Sequence, residues 1–156
     1  ITKMKLIILI SCVSRKGTKK AKAVDLYKGP LFENSLAYAQ SLKPDKIFIL
    51  SALHHLLDLD KEIEPYNVTL SNIPPSKRKA DLKVLTPKEK IDWGQKVISQ
   101  LKLEADLQND EFIILAGQEY IKPIEGLIAK NNVKKPLDGK RVGERIKFMQ
   151  NKNKIC

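Results

Sequence analysis

The segment from Lys5 to Ser11, with Leu6-Ile7-Ile8-Leu9-Ile10 at its centre, is continuous in apolar residues and rich in β-branched ones. A run of that kind has no polar face, so it suits a strand buried on both sides, as in a parallel sheet covered by helices. Two similar runs follow, Lys46 to Leu50 and Glu111 to Ala116. Between the first two, Gly29-Pro30 opens a stretch with Leu31, Phe32, Leu36 and Ala39 at helical spacing, and Pro44-Asp45 ends it. Strand, helix, strand predicts a parallel unit with a right-handed crossover.

The remainder extends this pattern. Ser76 is expected to cap a basic helix through Val84, after a loop over Glu62 to Asn72 broken by Pro65, Pro74 and Pro75. Thr86-Pro87-Lys88-Glu89 has the form of a capping box, and the helix it opens carries an apolar stripe of Ile91, Val97, Ile98 and Leu101, with Trp93 nearby. Gly117-Gln118 starts a further helix, holding Tyr120, Ile121, Ile124, Leu127 and Ile128 and ending near Asn131-Asn132. A short apolar step at Val133 and a Pro136–Gly139 turn lead to a last helix ending at Gln150. The expectation is one three-layer α/β domain over residues 4–156 with a mostly parallel sheet of about four strands. Ile1-Thr2-Lys3 ahead of Met4 is expected to be an extension before the natural start.

With 42% hydrophobic and 30% charged residues, the chain has the composition of a soluble globular protein. Its apolar runs are too short to span a bilayer. Cys12 and Cys156 suggest no disulfide framework, and the cytoplasm is the expected compartment. The formal net charge is +11, with basic clusters at Arg15-Lys16, Lys19-Lys20-Lys22, Lys77-Arg78-Lys79, Lys134-Lys135 and Lys140-Arg141. Such an excess attracts phosphate-rich partners. A lysine-rich composition drawn from an A/T-rich genome accounts for the same numbers.

Ligands in open parallel sheets bind beyond the carboxyl ends of the strands, which singles out two segments. The first is Ser11-Cys12-Val13-Ser14-Arg15-Lys16, where hydroxyls, backbone N–H groups and Lys16 can meet an anion, although an ordinary surface turn explains it equally. It contains neither a P-loop nor a dinucleotide fingerprint. The second is Ser51-Ala52-Leu53-His54-His55-Leu56-Leu57-Asp58, followed by Pro65-Tyr66-Asn67-Val68-Thr69-Leu70. His54 can act as acid or base near neutral pH, and a helical turn brings Asp58, four residues on, beside it. A capped turn with His54 bonded to backbone is the competing account. Tyr66 can stack on a base or merely staple the loop, and Tyr27 and Tyr120 are similar cases. Gly117-Gln118 offers free N–H groups at a helix start, or simply a tight turn. Two histidines and one distant cysteine give no zinc-ligand spacing, and no cofactor is expected.

Taken as a set, Ser11-Cys12 with Arg15-Lys16, Leu26-Tyr27 with Pro30-Leu31-Phe32, Ser51-Ala52 with His54, Leu56 and Leu57, and Pro65-Tyr66 with Thr69-Leu70 resemble an uncharacterised bacterial and phage domain-of-unknown-function family. Its usual wording is SC-x-x-K, LY-x-x-x-LF, SA-x-HGLL and PYD-x-TL. Gly117 with Tyr120, and Gly143-Glu144-Arg145, continue the match. The chain is similar in part to the peroxide-stress YaaA family and to the middle domain of archaeosine synthase, described as like uracil-DNA glycosylase. These resemblances imply a uracil-DNA-glycosylase-like fold and a nucleobase, nucleotide or nucleic-acid ligand, with N-glycosidic chemistry as the enzymatic form. They place the ligand-side loops at Ser11–Lys16 and Ser51–Tyr66. The reading that follows takes His54 as the catalytic group oriented by Asp58, and Ser11, Cys12, Lys16, Tyr27, Ser51, Tyr66, Thr69, Gly117, Gln118, Tyr120 and Arg145 as ligand contacts. A non-catalytic, basic DNA-associated protein of stress or phage origin is the alternative. His55 stands where that family usually has glycine, and Asn67 where it has aspartate.

Overall fold

Ile7, Ile8, Leu9 and Ile10 are each at most 1% exposed, because the strand that carries them has a neighbour on both edges and helices on both faces. The structure, a computed structural model, describes residues 4–153. The expected extension at 1–3 and the terminal Cys156 lie outside the described residues. In chain order the elements are β1 (Leu6–Ser11), β2 (Ala21–Lys22), α1 (Ala23–Leu26), α2 (Pro30–Ser41), β3 (Lys46–Ser51), β4 (His55–Asp58), β5 (Glu62–Ile63) and β6 (Val68–Thr69). There follow β7 (Lys83–Val84), α3 (Pro87–Leu101), β8 (Glu111–Leu115), α4 (Gln118–Glu125), β9 (Val133–Lys134) and α5 (Val142–Asn153).

The main sheet has the order β4-β3-β1-β8-β9. β3 and β8 flank β1 in parallel, with Ile8 opposite both Ile47 and Ile113, and β9 runs parallel to β8. Handedness then fixes the layers. The β1-α2-β3 crossover moves one way along the sheet, while β3-α3-β8 and β8-α4-β9 move the other way. The helices therefore fall on opposite faces: α2 packs with α5, and α3 with α4. Connections leave β1 and β8 in opposite directions, so the switch point of the sheet, and the crevice that belongs to it, lies between their carboxyl ends.

The opposite end of the sheet is held by carboxylates. Asp110, 6% exposed, accepts from the backbone N–H groups of Lys5 (2.9 Å) and Asp106 (2.8 Å). Asp45 accepts from Leu6 N–H at 2.7 Å. α3 opens with the expected capping box, Thr86 accepting from Glu89 N–H and Glu89 from Thr86 N–H.

Four expectations are corrected. The sheet has five strands rather than about four, because Ser51-to-Asp58 returns as an antiparallel edge strand, with Ser51 opposite His55 and Phe48 opposite Asp58. Residues 76–84 form no α-helix: after a 3₁₀ turn at Pro75–Lys77 and a further turn, in which Leu82 N–H donates to Lys79 O, β7 pairs with β6. Within α3, Ile91 is 59% exposed and Trp93 takes the inward place, its indole N–H donating to Ser51 O at 2.8 Å. α4 stops at Glu125 with Gly126 as its C-cap, leaving Leu127 half-exposed.

Candidate binding cleft

Two hollows of similar size lie at opposite ends of the sheet. The one at the amino end of β3, about 650 Å³, is lined by three lysines (Lys43, Lys46, Lys61) and three aspartates (Asp45, Asp58, Asp60). The one at the switch point is about 720 Å³ and has a different balance. Its cations are Arg15, Lys16, Lys28, Lys77, Lys79 and Arg145, and its one carboxylate among the described residues is Glu119. Even that carboxylate is taken, lying 2.7 Å from Lys90 Nζ, which holds its pKa below the usual range. The first hollow is near neutral; the second is a strongly cationic cleft with an apolar floor from Val13, Leu31, Val68 and Ile146.

Two of the helices that start at the cleft, α2 after Gly29 and α4 after Gly117, have no side-chain cap, so the N–H groups of Leu31 and Phe32 and of Gln118 and Glu119 are open to an anion. Gly29 has φ 97°, and a Cβ there would lie 2.9 Å from Arg15 Cδ. At Gly117 a Cβ would meet the Arg145 guanidinium at 3.1 Å, so this glycine lets that side chain lie across the start of α4. Arg145 is aimed by its Nε, which donates to Lys140 O at 2.8 Å. Gln118 lines the cleft with its side-chain amide bonded to Asp138.

Beneath the cleft is a set of buried hydroxyls. Tyr120, on α4, has its Oη 3.5 Å from Cys12 Sγ and 3.4 Å from Thr69 Oγ1, and accepts from Leu70 N–H at 3.4 Å. Tyr66 Oη lies 2.6 Å from Tyr27 Oη and 2.7 Å from Ser51 Oγ, and Ser51 Oγ accepts from His54 N–H at 3.0 Å. Burial first, and the Cys12 sulfur second, raise the pKa values of Tyr27, Tyr66 and Tyr120. All three phenols therefore remain protonated and serve as hydrogen-bonding posts, not phenolate bases. Lys16 Nζ sits 4.4 Å from the centre of the Tyr66 ring.

The expected site residues thus divide. Ser11, Cys12, Lys16, Thr69, Gly117, Gln118, Tyr120 and Arg145 line the cleft. Tyr27, Ser51 and Tyr66 are in the network beside it, and the Tyr66 ring packs against Lys16, Tyr27 and His54. The helical turn expected to join His54 to Asp58 does not form. Asp58 is on β4, 3.6 Å from Lys46 Nζ at the far end of the strand pair. His54 packs edge-on against Tyr66 with its Nε2 buried and unpartnered among the described residues, and burial, then Lys61, lower its pKa.

Arg15, Lys28, Lys77, Lys79 and Glu119 join the lining without having been expected as site residues. The signal for most of them was present, since the Arg15-Lys16 and Lys77-Arg78-Lys79 clusters are visible as charge. Of the second cluster, Arg78 is absent from the lining, and its Nε donates to Ile73 O.

Neither a curated protein nor a solved structure matches this chain significantly. A family model, described as "Family of unknown function (DUF6884)", matches residues 7–151. Covering nearly the whole chain, from β1 into α5, that match shows that the chain belongs to this family of unknown function.

Proposed function

We propose that this chain binds a phosphorylated ligand, a nucleotide or a nucleic-acid strand, in the cleft between the carboxyl ends of β1 and β8. The observation that carries the reading is the contrast between the two hollows. At nearly equal volume, one balances three lysines against three aspartates, and the other collects six cations around a carboxylate that is already neutralised. Gathering so many like charges raises the energy of the empty cleft, and an anion relieves it. Two uncapped helix starts add donors of the same polarity. Apolar side chains between the cations provide a surface for a base or sugar.

The uracil-DNA-glycosylase-like reading of the fold, with cleavage of an N-glycosidic bond, is the stronger form of this proposal. It rests on the motif resemblances to the YaaA and archaeosine synthase families. In it His54 moves a proton to the leaving base, so a His54→Ala variant with full base release removes that role. The pairing of Glu119 with Lys90 favours the alternative, a non-catalytic nucleic-acid binder, because no free carboxylate is left in the cleft lining among the described residues to activate water.

Thermal-shift titrations with nucleobases, nucleosides, nucleotides and single- and double-stranded oligonucleotides at two salt concentrations separate these forms. Stabilisation by a mononucleotide but not by its nucleoside supports the cleft as a phosphate-dependent pocket. A salt-sensitive shift with every oligonucleotide and none with mononucleotides supports the extended binder. No shift with any phosphorylated ligand overturns the proposal.

A further inference from the structure

Lys16 differs from the other cations of the cleft. Its backbone is fixed by an antiparallel bridge to Tyr27, with Gly17 N–H donating to Leu26 O at 2.8 Å and Lys28 N–H to Arg15 O at 2.9 Å. Its amine lies 4.4 Å from the Tyr66 ring centre and 5.8 Å from that of Tyr27. The two rings stand at 82° to each other, so they form a corner that holds the amine from two sides. Among the described residues no carboxylate reaches it; the ion pairs use Lys46, Lys83, Lys90 and Lys135 instead.

We propose that Lys16 is an imine-forming amine, and that its partner is the open-chain aldehyde of a phosphorylated sugar whose phosphate rests among the other cations of the cleft. This rests on the phosphate-binding reading given above. Lys16 is half-buried and lines a cleft large enough for such a substrate, its amine rests against two aromatic rings, and among the described residues it has no carboxylate partner. Burial lowers its pKa, with the Cys12 sulfur and the aromatic faces acting in the opposite sense. A lysine in such surroundings has more neutral amine than an exposed one, which is the form that attacks carbonyls. The nitrogen lone pair attacks the aldehyde carbon, and a proton passes from nitrogen to the former carbonyl oxygen. The hydroxyl so formed takes up a second proton and leaves as water, the nitrogen giving up its remaining proton to solvent, so that a carbon–nitrogen double bond is left and the step needs no oxidant or other co-reactant.

The test is reductive trapping on the full chain. The protein is incubated with ribose 5-phosphate or with ribose, reduced with cyanoborohydride, and mapped by peptide mass spectrometry. The expected result is an adduct concentrated on Lys16 with ribose 5-phosphate, much weaker with ribose, suppressed by inorganic phosphate, and lost in Lys16→Arg. Equal labelling of Lys16 by both sugars supports the imine and overturns the phosphate reading. Labelling confined to exposed lysines such as Lys19 and Lys152, in a protein that still binds inorganic phosphate, overturns the imine and leaves the phosphate reading in place. The wild-type map decides this even if Lys16→Arg fails to fold.

Discussion

The hydroxyl of Tyr66 is 2.7 Å from that of Ser51, a residue with no exposed surface, and 2.6 Å from that of Tyr27. One phenol thus ties the loop after β5 to the end of β3 and to the segment before α2, all beside the cleft. Tyr66→Phe removes only the oxygen, leaving two buried hydroxyls short of a partner. It is expected to lower unfolding free energy by about 1–3 kcal/mol in denaturant titrations. An unchanged midpoint would show that the network does not hold the loop.

Gly94 faces Pro123 where α3 crosses α4, and a Cβ there would lie 2.7 Å from Pro123 Cβ, with the Pro123 carbonyl closer still. Helix propensity alone favours alanine at this position by about 1 kcal/mol. Overpacking wins, because the contacted atoms include backbone that cannot rotate away. Gly94→Ala is expected to destabilise by about 1–3 kcal/mol, read by urea denaturation. Stabilisation instead would mean that the two helices are free to separate.

His55 has φ 64°, in the left-handed region that side chains with a Cβ disfavour. The first residue of β4, where the chain leaves its turn, therefore keeps the backbone that glycine would adopt. His55→Gly removes the strain, set against the larger chain entropy of glycine when unfolded, and is expected to raise stability by up to about 1 kcal/mol. A lower melting temperature would show that the half-buried imidazole contributes more than the turn costs.

Glu89 accepts from Thr86 N–H and pairs with Lys83 at 2.9 Å, and these contacts bring its pKa from 4.5 down to about 2. A carboxylate with a depressed pKa stabilises the fold above its unfolded value and loses that contribution as pH falls through the folded one. The stability gap between wild type and Glu89→Gln is therefore expected to be constant above pH 4.5 and to close towards about pH 2. Thermal melts across that window read it; a gap that widens on acidification contradicts the assignment.

What was legible in the sequence followed local physics. The β1, β3 and β8 runs are continuous and apolar because the strands are buried on both faces, and Pro30 and the Thr86–Glu89 box mark helix starts by their own chemistry. What was not legible depends on contacts between distant segments. Around Lys83 the chain is extended by pairing with β6, Lys83 N–H donating to Asn67 O and Leu85 N–H to Thr69 O, against its lysine-rich helical appearance. β4 hides because its turn takes a positive φ at a histidine rather than a glycine. In the cleft, Lys77 and Lys79 arrive from a loop whose route no periodicity encodes, whereas Ser11 to Lys16 are simply the end of a recognisable strand.

The most direct test of the cleft is equilibrium binding of a nucleoside 5′-monophosphate and of its parent nucleoside to wild type and to Arg145→Glu, by isothermal titration at low and moderate salt. Arg145 is chosen because it lies over the start of α4 and lines the cleft. The nucleotide is expected to bind wild type and the nucleoside to bind at least about tenfold more weakly, since a charge-assisted hydrogen bond is worth about 1.5–3 kcal/mol. Arg145→Glu is expected to narrow the difference. Equal affinity for nucleotide and nucleoside, or nucleotide binding untouched by the charge reversal, would contradict a phosphate-binding cleft.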